Sequence, residues 1–313
     1  MDLSVIIPVY NEAANVLVLY QRLLQAIQPM GIRYELLFVN DGSTDWSLSI
    51  IKELTFQDNT VRYIDFTRNF GQQIAISAGL DNARGEAIVI LDGDLQDPPE
   101  LIPELYARYQ QGHPVVYAKR RTRAGESATK LATARLFYRL LTRITHVSIP
   151  VDAGDFRIIS RKVADTLKRM PEQQKFIRGQ ISWIGFPQTF LEYDRPERTQ
   201  GQSGYSYSKM IRLALDGITS YSNLPLKIAT VSGFVVSGIS FLVMLYTLYS
   251  RFIIRDYVPG WSSLMISILF LGGVQLIAIG IIGEYISRLS ENVRNRPLYI
   301  INETNIPYES GLK

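Results

Sequence analysis

The sequence contains no cysteine and only two histidines. The first absence excludes disulfide bonds and thiolate chemistry, and two histidines are too few for a histidine-based metal centre. The glycine-rich patterns GxGxxG and GxxxxGK followed by Ser or Thr are also absent, which argues against a dehydrogenase and a P-loop ATPase. The net charge of +4 comes without a basic tail or basic helical module, so it suits a membrane surface or phosphorylated ligands better than nucleic acid. Any metal must therefore be bound by oxygen ligands, chiefly carboxylates.

One apolar run in the sequence ends abruptly in acidic residues. The segment Ala87–Leu91 is typical of a strand buried on both faces of a parallel sheet. Asp92 and Asp94 follow it two positions apart, so both carboxylates project to one side, and Gly93 between them permits the close approach of another group. Such a pair suits Mg²⁺ or Mn²⁺ bound together with substrate phosphates. An acidic turn before a helix, with Asp97 as its N-cap, is the alternative.

Strand and helix patterns alternate up to residue 120. Besides the acidic strand, strands are predicted at Leu3–Val9, Glu35–Asn40, Val61–Phe66 and Val115–Ala118. This alternation predicts an α/β fold with right-handed crossovers and a mostly parallel, Rossmann-like sheet, which binds ligands outside the carboxyl ends of its strands. Tyr10, Glu12 and Asp41 follow two of these strands, so they are expected at the same edge as the acidic pair. Helix capping is the alternative for Glu12 and Asp41.

Three segments together resemble the family 2 glycosyltransferases of the GT-A fold. They are Val5–Glu12, Val39–Asp45 and Leu91–Pro98. Later segments resemble the polyprenyl-phosphate glycosyltransferases, bacterial relatives of dolichyl-phosphate mannose synthase that include undecaprenyl-phosphate glucosyltransferases. These segments are Gly154–Arg157, Phe176–Gly179 with Trp183, Gly185 and Phe186, then Arg198 and Asp216–Ile218. The resemblance covers nearly the whole chain.

The resemblance implies roles for individual residues of the predicted sheet edge. The contacts to the nucleotide sugar are Pro8, Tyr10, Glu12, Asp41, Asp92 and Gln96. The divalent cation, Mg²⁺ or Mn²⁺, is bound by Asp92, Asp94 and Gln96. Asp155 and Asp94 are the catalytic residues. Because a phosphate monoester has a second pKa of about 6, the acceptor hardly needs a general base, and the role of Asp155 stays open between orientation of the acceptor and electrostatic stabilisation.

Basic residues follow the last predicted strand of this region. The run from Lys119 to Arg123 could contact the diphosphate or an acceptor phosphate, and a solvated charged surface is the alternative. By resemblance the phosphate- or acceptor-binding residues are Arg120, Arg123, Arg178, Arg198 and Lys209. Gly204 stands where many relatives carry a lysine, which leaves one phosphate contact to Lys209 or Arg198.

Two amphipathic stretches and two uncharged runs indicate a membrane protein. Helices at about 127–146 and 205–222 are predicted to lie in the membrane interface, and a domain helix with a charged outer face is the alternative for the first. The uncharged runs Ala229–Ser250 and Tyr257–Gly283 each exceed the roughly 20 residues that cross hydrocarbon, so two transmembrane helices are predicted. A buried soluble helix pair is the alternative.

The distribution of basic residues predicts the topology. More Lys and Arg residues flank the outer ends of the two runs than lie in the short connection between them. Because basic residues are enriched on the cytosolic side, both termini are expected in the cytosol. The chain then divides into a cytosolic catalytic domain at 1–225, a two-helix membrane region at 226–286 and a cytosolic tail at 287–313. Within the tail, Pro297–Ile301 could form a strand that pairs between subunits of a homo-oligomer.

These features together predict an inverting hexosyltransferase of the bacterial cytoplasmic membrane. By resemblance it transfers glucose from UDP-glucose to undecaprenyl phosphate and releases UDP. Alternatives are a GDP-mannose or modified UDP-arabinose donor, a processive polysaccharide synthase, and a membrane-tethered nucleotide-sugar binding protein without turnover. Two membrane spans and the lack of a Gln-x-x-Arg-Trp sequence favour single transfer, and the intact acidic residues Asp92, Asp94 and Asp155 argue against a binding protein.

Overall fold

A computed structural model of the chain describes residues 1–121, 153–193, 224–249, 260–294 and 296–307. They belong to two units, one formed by residues 1–121, 153–193 and 296–307, the other by the helical residues 224–249 and 260–294. The predicted interface helices at about 127–146 and 205–222 lie outside the described residues. Arg123, Arg198, Gly204 and Lys209 lie outside them as well.

The first unit is built on an eight-stranded mixed sheet. Its strands are β1 (Leu3–Val9), β2 (Tyr34–Asn40), β3 (Val61–Phe66), β4 (Ala87–Ile90), β5 (Val115–Arg120), β6 (Ala153–Ser160), β7 (Gln188–Tyr193) and β8 (Ile301–Thr304). Its helices are α1 (Ala13–Ile27), α2 (Ser47–Gln57), α3 (Gln72–Asn82), α4 (Ile102–Gln110), α5 (Arg161–Lys168) and α6 (Ile177–Ile184). Short 3₁₀ helices lie at Gln28–Met30 and Pro99–Leu101.

The strand order is β7-β5-β6-β4-β1-β2-β3-β8. Strands β3, β2, β1 and β4 pair in parallel, β6 is antiparallel to both β4 and β5, and β7 is parallel to β5. All strands except β6 and β8 therefore point the same way, which confirms the predicted mostly parallel sheet. We call the edge at which β1, β2, β3 and β4 end, at Val9, Asn40, Phe66 and Ile90, the carboxyl edge.

Both faces of the central strands are buried. On β4, Ala87 and Val89 belong to one hydrophobic cluster, and Ile88 and Ile90 belong to the cluster on the opposite face. The same alternation holds along β1 and β2. Since successive side chains of a strand point to opposite faces, a strand that is covered on both faces favours apolar residues at nearly every position. This explains the uninterrupted apolar run that the sequence shows before the acidic residues.

The last described segment of the chain returns to the sheet. β8 pairs antiparallel with β3 of the same chain. Asn302 Nδ2 donates to Asp65 Oδ2 at 2.8 Å, and Tyr299 OH donates to Asp81 Oδ2 at 3.0 Å. The tail therefore forms a strand at Ile301–Thr304 instead of the predicted Pro297–Ile301, and this strand pairs with β3 of the same chain. Pairing between subunits stays a prediction.

The second unit consists of two long helices that pack against each other, α7 (Leu224–Tyr249) and α8 (Trp261–Arg294). Helix α8 continues past the predicted boundary at 286. Within the described ranges, the segment Phe270–Arg294 is long and apolar enough to cross a membrane, and the apolar part of α7, Leu226–Val236, is shorter. Length and composition thus support one of the two predicted spans.

Candidate active site

The carboxyl edge collects most of the residues that the sequence singles out. Tyr10 and Glu12 follow β1, Asp41 follows β2, and the acidic loop follows β4. Because β6 runs antiparallel, its first residues lie at this edge too, and they include Asp155. Arg120 ends β5 at the same edge, whereas Pro8 is buried inside β1.

The acidic loop is packed tightly against the end of β1. A Cβ atom at Gly93 would lie 2.9 Å from the carbonyl oxygen of Pro8, so a larger residue would displace the backbone. Leu95 has a φ of 61°, which non-glycine residues rarely adopt, and the Gln96 N–H donates to Asp94 Oδ1 at 3.1 Å. Asp92 and Asp94 remain partly exposed. The predicted close approach at Gly93 is confirmed, and the approaching group is Pro8.

Asp97 is not a helix cap. Its side chain is fully buried, and its Oδ1 accepts a hydrogen bond from Tyr193 OH at 2.8 Å. The 3₁₀ helix that follows the acidic loop is preceded by Pro98 and has no side-chain cap. The bond from Tyr193, the last residue of β7, instead attaches the acidic loop to a distant strand. The alternative of an acidic turn that only begins a helix is therefore wrong for Asp97.

Asp155 lies next to the acidic loop. Ile90 pairs with Arg157, so continuing the antiparallel register by two residues places Asp92 beside Asp155. Asp155 is only 4% exposed, and its carboxylate accepts two hydrogen bonds from Arg178, from Nε at 2.6 Å and from Nη2 at 3.0 Å. Gln73 Nε2 donates to Asp155 Oδ2 at 3.2 Å. Asp155, the predicted catalytic residue, and Arg178, a predicted phosphate-binding residue, thus form one ion pair.

The carboxylates at this edge titrate differently. Burial, followed by the charges of Asp97, Asp155 and Asp94, raises the pKa of Asp92 well above its usual value. Burial also acts to raise the pKa of Asp155, but the charges of Arg178 and Arg157 and the hydrogen bonds from Arg178 and Gln73 together lower it. Asp155 is therefore ionised at neutral pH, and negative charge is concentrated beside Asp92.

Asp41 binds backbone rather than solvent. It is buried, and its two carboxylate oxygens accept the N–H groups of Phe70 at 2.7 Å and Gly71 at 2.9 Å. Burial raises its pKa despite these hydrogen bonds. Gly42 has a φ of 65°, and a Cβ there would lie 2.4 Å from the Arg68 backbone. Asp41 therefore holds the start of α3, and its contact with a nucleoside stays a prediction.

The loops after β1 and β2 are joined by hydrogen bonds. Asn11 N donates to Ser43 Oγ at 3.0 Å, and Thr44 N donates to Asn11 Oδ1 at 2.8 Å. Asn11 itself has a φ of 55°. Glu12 occupies the N-cap position of α1 without a capping side-chain bond, and its carboxylate accepts from Asn15 Nδ2. Tyr10 stands clear of this network and is 48% exposed.

Sequence reasoning missed two glutamines. Gln72 and Gln73 begin α3, and Gln72 Nε2 donates to Asp92 Oδ1 at 2.7 Å while Gln73 binds Asp155. The sequence signal that could have found them is their position after β3, because the connection from β3 to α3 starts at the carboxyl edge. Neither glutamine lies in a segment that carries the family resemblance, and an uncharged amide at a helix start has no sequence pattern of its own.

The described residues of the basic run, Lys119 to Arg121, do not all have the same surroundings. Lys119 Nζ lies 3.0 Å from Glu192 Oε1 and Arg121 Nε lies 4.0 Å from Glu192 Oε2, so these two follow the surface-charge alternative. Arg120 ends the strand between them at the carboxyl edge, where its phosphate contact stays a prediction.

Comparison with known proteins gives matches over both units. The family described as Glycosyl transferase family 2 matches residues 4–168, and the GtrB C-terminal hairpin matches residues 224–289. The chain is 48% identical to the protein named uncharacterized glycosyltransferase YkcC of Bacillus subtilis (strain 168), over 96% of this chain and 93% of that protein. It is 43% identical to the SfII prophage-derived bactoprenol glucosyl transferase of Shigella flexneri, over 97% of this chain and 99% of that protein.

A solved structure of glucosyl-3-phosphoglycerate synthase from Mycobacterium tuberculosis is 18% identical, with a TM-score of 0.48, over 70% of this chain and 77% of that chain. The domain match and the near full-length relatives confirm the resemblance read from the sequence. This chain, with an α/β domain whose carboxyl edge gathers Asp92, Asp94 and Asp155, belongs to glycosyl transferase family 2.

Proposed function

We propose that the protein transfers glucose from UDP-glucose to a polyprenyl phosphate, with undecaprenyl phosphate as the natural acceptor, and releases UDP. The observation that carries the proposal is the position of the Asp155–Arg178 ion pair beside the acidic loop at one sheet edge. Relatives that are more than 40% identical over nearly their full length are named bactoprenol glucosyl transferases, which supports glucose and a polyprenyl acceptor.

The acidic loop fits a divalent cation, Mg²⁺ or Mn²⁺. Asp92 and Asp94 are partly exposed carboxylates, and Gln96 adds an amide oxygen. Within the described residues no group of three acidic or histidine side chains stands ready to hold a metal. The remaining ligands would be substrate oxygens, as is usual for Mg²⁺ at phosphate sites. When bound, the cation would neutralise charge on the departing diphosphate.

The donor nucleoside is proposed to lie over the loops after β1 and β2. Tyr10 presents an exposed ring that can stack on a base, and Pro8, Glu12 and Asp41 shape the adjoining backbone. The hydrogen bonds between Asn11 and the Ser43–Thr44 segment hold these loops together before any ligand binds. Loops that are already held together before binding lower the entropy cost of binding.

The chain's own residues set up an inverting displacement. An acceptor phosphate oxygen attacks the anomeric carbon, the bond from that carbon to the diphosphate oxygen breaks, and UDP leaves on the opposite side. The acceptor is already largely dianionic near neutral pH, since its second pKa is about 6. Asp155 is ionised and hydrogen-bonded to Arg178, so it holds no proton to donate. Asp155 therefore acts by charge and orientation, while Arg178 and Arg120 meet phosphate groups.

The membrane assignment rests on the second unit. Helices α7 and α8 carry exposed apolar side chains, among them Phe234, Leu276 and Val293, which suit a lipid environment. We propose that both helices span a bacterial cytoplasmic membrane, with residues 1–225 and 287–313 in the cytosol and the helix pair at 226–286. Oligomerisation remains a separate prediction.

The decisive experiment uses the purified full-length protein with UDP-glucose, undecaprenyl phosphate and Mg²⁺ or Mn²⁺. We expect UDP to be released in a one-to-one ratio with a lipid whose mass increases by a single hexose. Release of UMP with a diphospho-linked lipid would overturn the reaction, and lipids carrying several hexoses would indicate a processive synthase. Absence of turnover with every nucleotide sugar tested would favour a binding protein.

A further inference from the structure

We propose that Gln72 and Gln73 are positioning residues of the glucosyl transfer, one for the metal-binding carboxylate Asp92 and the other for Asp155. This inference rests on the proposed function. The two glutamines are the first residues of α3, and each donates its amide N–H to a different acidic residue of the site. One helix end thus aligns the carboxylates of two neighbouring strands.

The helix geometry explains how adjacent residues reach different partners. Successive side chains on a helix are about 100° apart, because a turn contains 3.6 residues. Asp92 follows β4 and Asp155 lies in β6, and these paired strands are separated by about 4.8 Å. Two consecutive side chains that diverge from one helix end can therefore serve both strands.

Gln72 fixes one oxygen of Asp92. Its Nε2 lies 2.7 Å from Asp92 Oδ1, a short hydrogen bond that sets the rotation of the carboxylate. A neutral amide does this without cancelling the negative charge, whereas a lysine there would compete with a cation and a glutamate would repel the carboxylate. Groups that orient a metal ligand in this way typically affect metal affinity by 10–100-fold.

Gln73 uses both ends of its amide. Its Nε2 donates to Asp155 Oδ2, and its Oε1 accepts the N–H of Ile177 at 3.0 Å. Ile177 is the first residue of α6 and precedes Arg178, which binds the same Asp155 carboxylate. Rotation of the amide by half a turn would break both bonds. Gln73 therefore holds the catalytic carboxylate and the start of the helix that carries its cationic partner.

The base of α3 is rigid enough for this role. Asp41 binds the N–H groups of Phe70 and Gly71, immediately before the helix. Deeper in the helix, Ile76 is fully buried, and a Cβ at Gly79 would lie 2.3 Å from the Ile6 side chain, so α3 packs closely on β1. The glutamines therefore extend from a fixed support, which accurate placement of reacting groups requires.

Binding of Mn²⁺ in the presence of UDP, measured by electron paramagnetic resonance, tests Gln72 without turnover. We expect Gln72→Ala to weaken Mn²⁺ affinity by about 10-fold or more. Gln21→Ala is the matched control, since Gln21 lies exposed on α1 and outside the site. An affinity of Gln72→Ala equal to that of the control would overturn the role of Gln72.

Steady-state kinetics at saturating Mn²⁺ test Gln73. Gln73→Glu keeps the acceptor for the Ile177 N–H but replaces the donor that faces Asp155, so it separates positioning from support of α6. We expect kcat to fall by on the order of 100-fold, with KM for UDP-glucose and Mn²⁺ affinity within about threefold of the control. A kcat equal to that of Gln21→Ala would overturn the inference for Gln73.

The outcomes also separate this inference from the proposed function. If the unmodified protein forms no lipid-linked glucose, the proposed function fails. Weakened Mn²⁺ binding in Gln72→Ala would then still support the positioning role of Gln72, and unchanged binding would still overturn it.

Discussion

Arg178 binds Asp155 through two hydrogen bonds, from Nε to Oδ1 at 2.6 Å and from Nη2 to Oδ2 at 3.0 Å. The planar guanidinium matches the carboxylate in this arrangement, which a lysine cannot reproduce. The carboxylate is almost fully buried, whereas the Arg178 side chain is 28% exposed. Arg178 can therefore neutralise Asp155 on its inner side and still meet an anionic ligand.

The substitution Arg178→Lys should lower kcat by about 10-fold or more, because a single ammonium cannot hold both carboxylate oxygens. The measurement is UDP release under saturating donor and acceptor. Lys162→Arg on α5 is the control, because it also exchanges lysine and arginine but at a position away from the acidic loop, where Lys162 lies over the Phe186 ring. Equal kcat values for Arg178→Lys and the native protein would contradict a role for the paired geometry.

The substitution Arg178→Gln should destabilise the protein in a pH-dependent way. The pKa of Asp155 is lowered in the folded state, so the pair contributes stability above the unfolded-state pKa of about 3.9 and loses it as the pH falls through the folded value. We expect a loss of about 3 kcal/mol near neutral pH, the lower end for buried pairs because Arg178 is partly exposed. Thermal unfolding should show this difference shrinking below about pH 4; a constant difference would contradict it.

Removal of the cation should abolish transfer while the sheet survives. Asp94→Asn keeps the side-chain shape but removes one charge from the acidic loop at a strand end, so we expect a loss of activity by orders of magnitude with an unchanged circular dichroism spectrum. EDTA should have the same effect on the native protein, and Mg²⁺ or Mn²⁺ should reverse it. Full activity in EDTA would exclude a metal requirement.

The substitution Tyr299→Phe should weaken closure of the sheet edge by β8. It removes the hydrogen bond to Asp81 but keeps the ring, whose centroid lies 5.1 Å from that of Phe66. We expect a loss of about 1 kcal/mol in the free energy of unfolding, and a larger loss for Tyr299→Ala, which also removes the stacked ring. Denaturant unfolding of the three proteins compares the two contributions. Equal stabilities of the native protein and both variants would show that this contact does not stabilise the fold.

The proposed topology can be measured directly because the native chain has no cysteine. Arg255→Cys, in the connection between the two helices, should react with an impermeant thiol reagent added to intact cells. Gly311→Cys, in the tail, should react only after the membrane is permeabilised. Reversed labelling would remove the cytosolic donor site together with the topology.

Local patterns were sufficient to predict strands β1 to β5 and the edge at which the acidic residues lie, but not β6 and β7. The run Ala87–Leu91 is apolar at every position because β4 is buried on both faces, and its end at Asp92 marks where the chain leaves the sheet. The uncharged run that contains Phe270 similarly predicts a membrane helix from composition alone. The strand prediction succeeds because burial on both faces of a sheet selects an apolar side chain at each position of β4. The membrane span stays a prediction.

Only the tertiary structure decided which side chains meet at that edge. Gln73 and Asp155 are 82 positions apart, Tyr193 and Asp97 are 96 apart, and Asn302 and Asp65 are 237 apart. Hydrogen bonds of neutral amides and hydroxyls leave no periodic pattern in the sequence. For Asp41, the sequence is equally consistent with a ligand-binding residue and a capping residue. The sequence alone determined the first five strands and the acidic end of β4. The later strands β6 and β7, the bounds of β8 and the partners across the sheet depend on strand order and register, which arise only when the whole core packs.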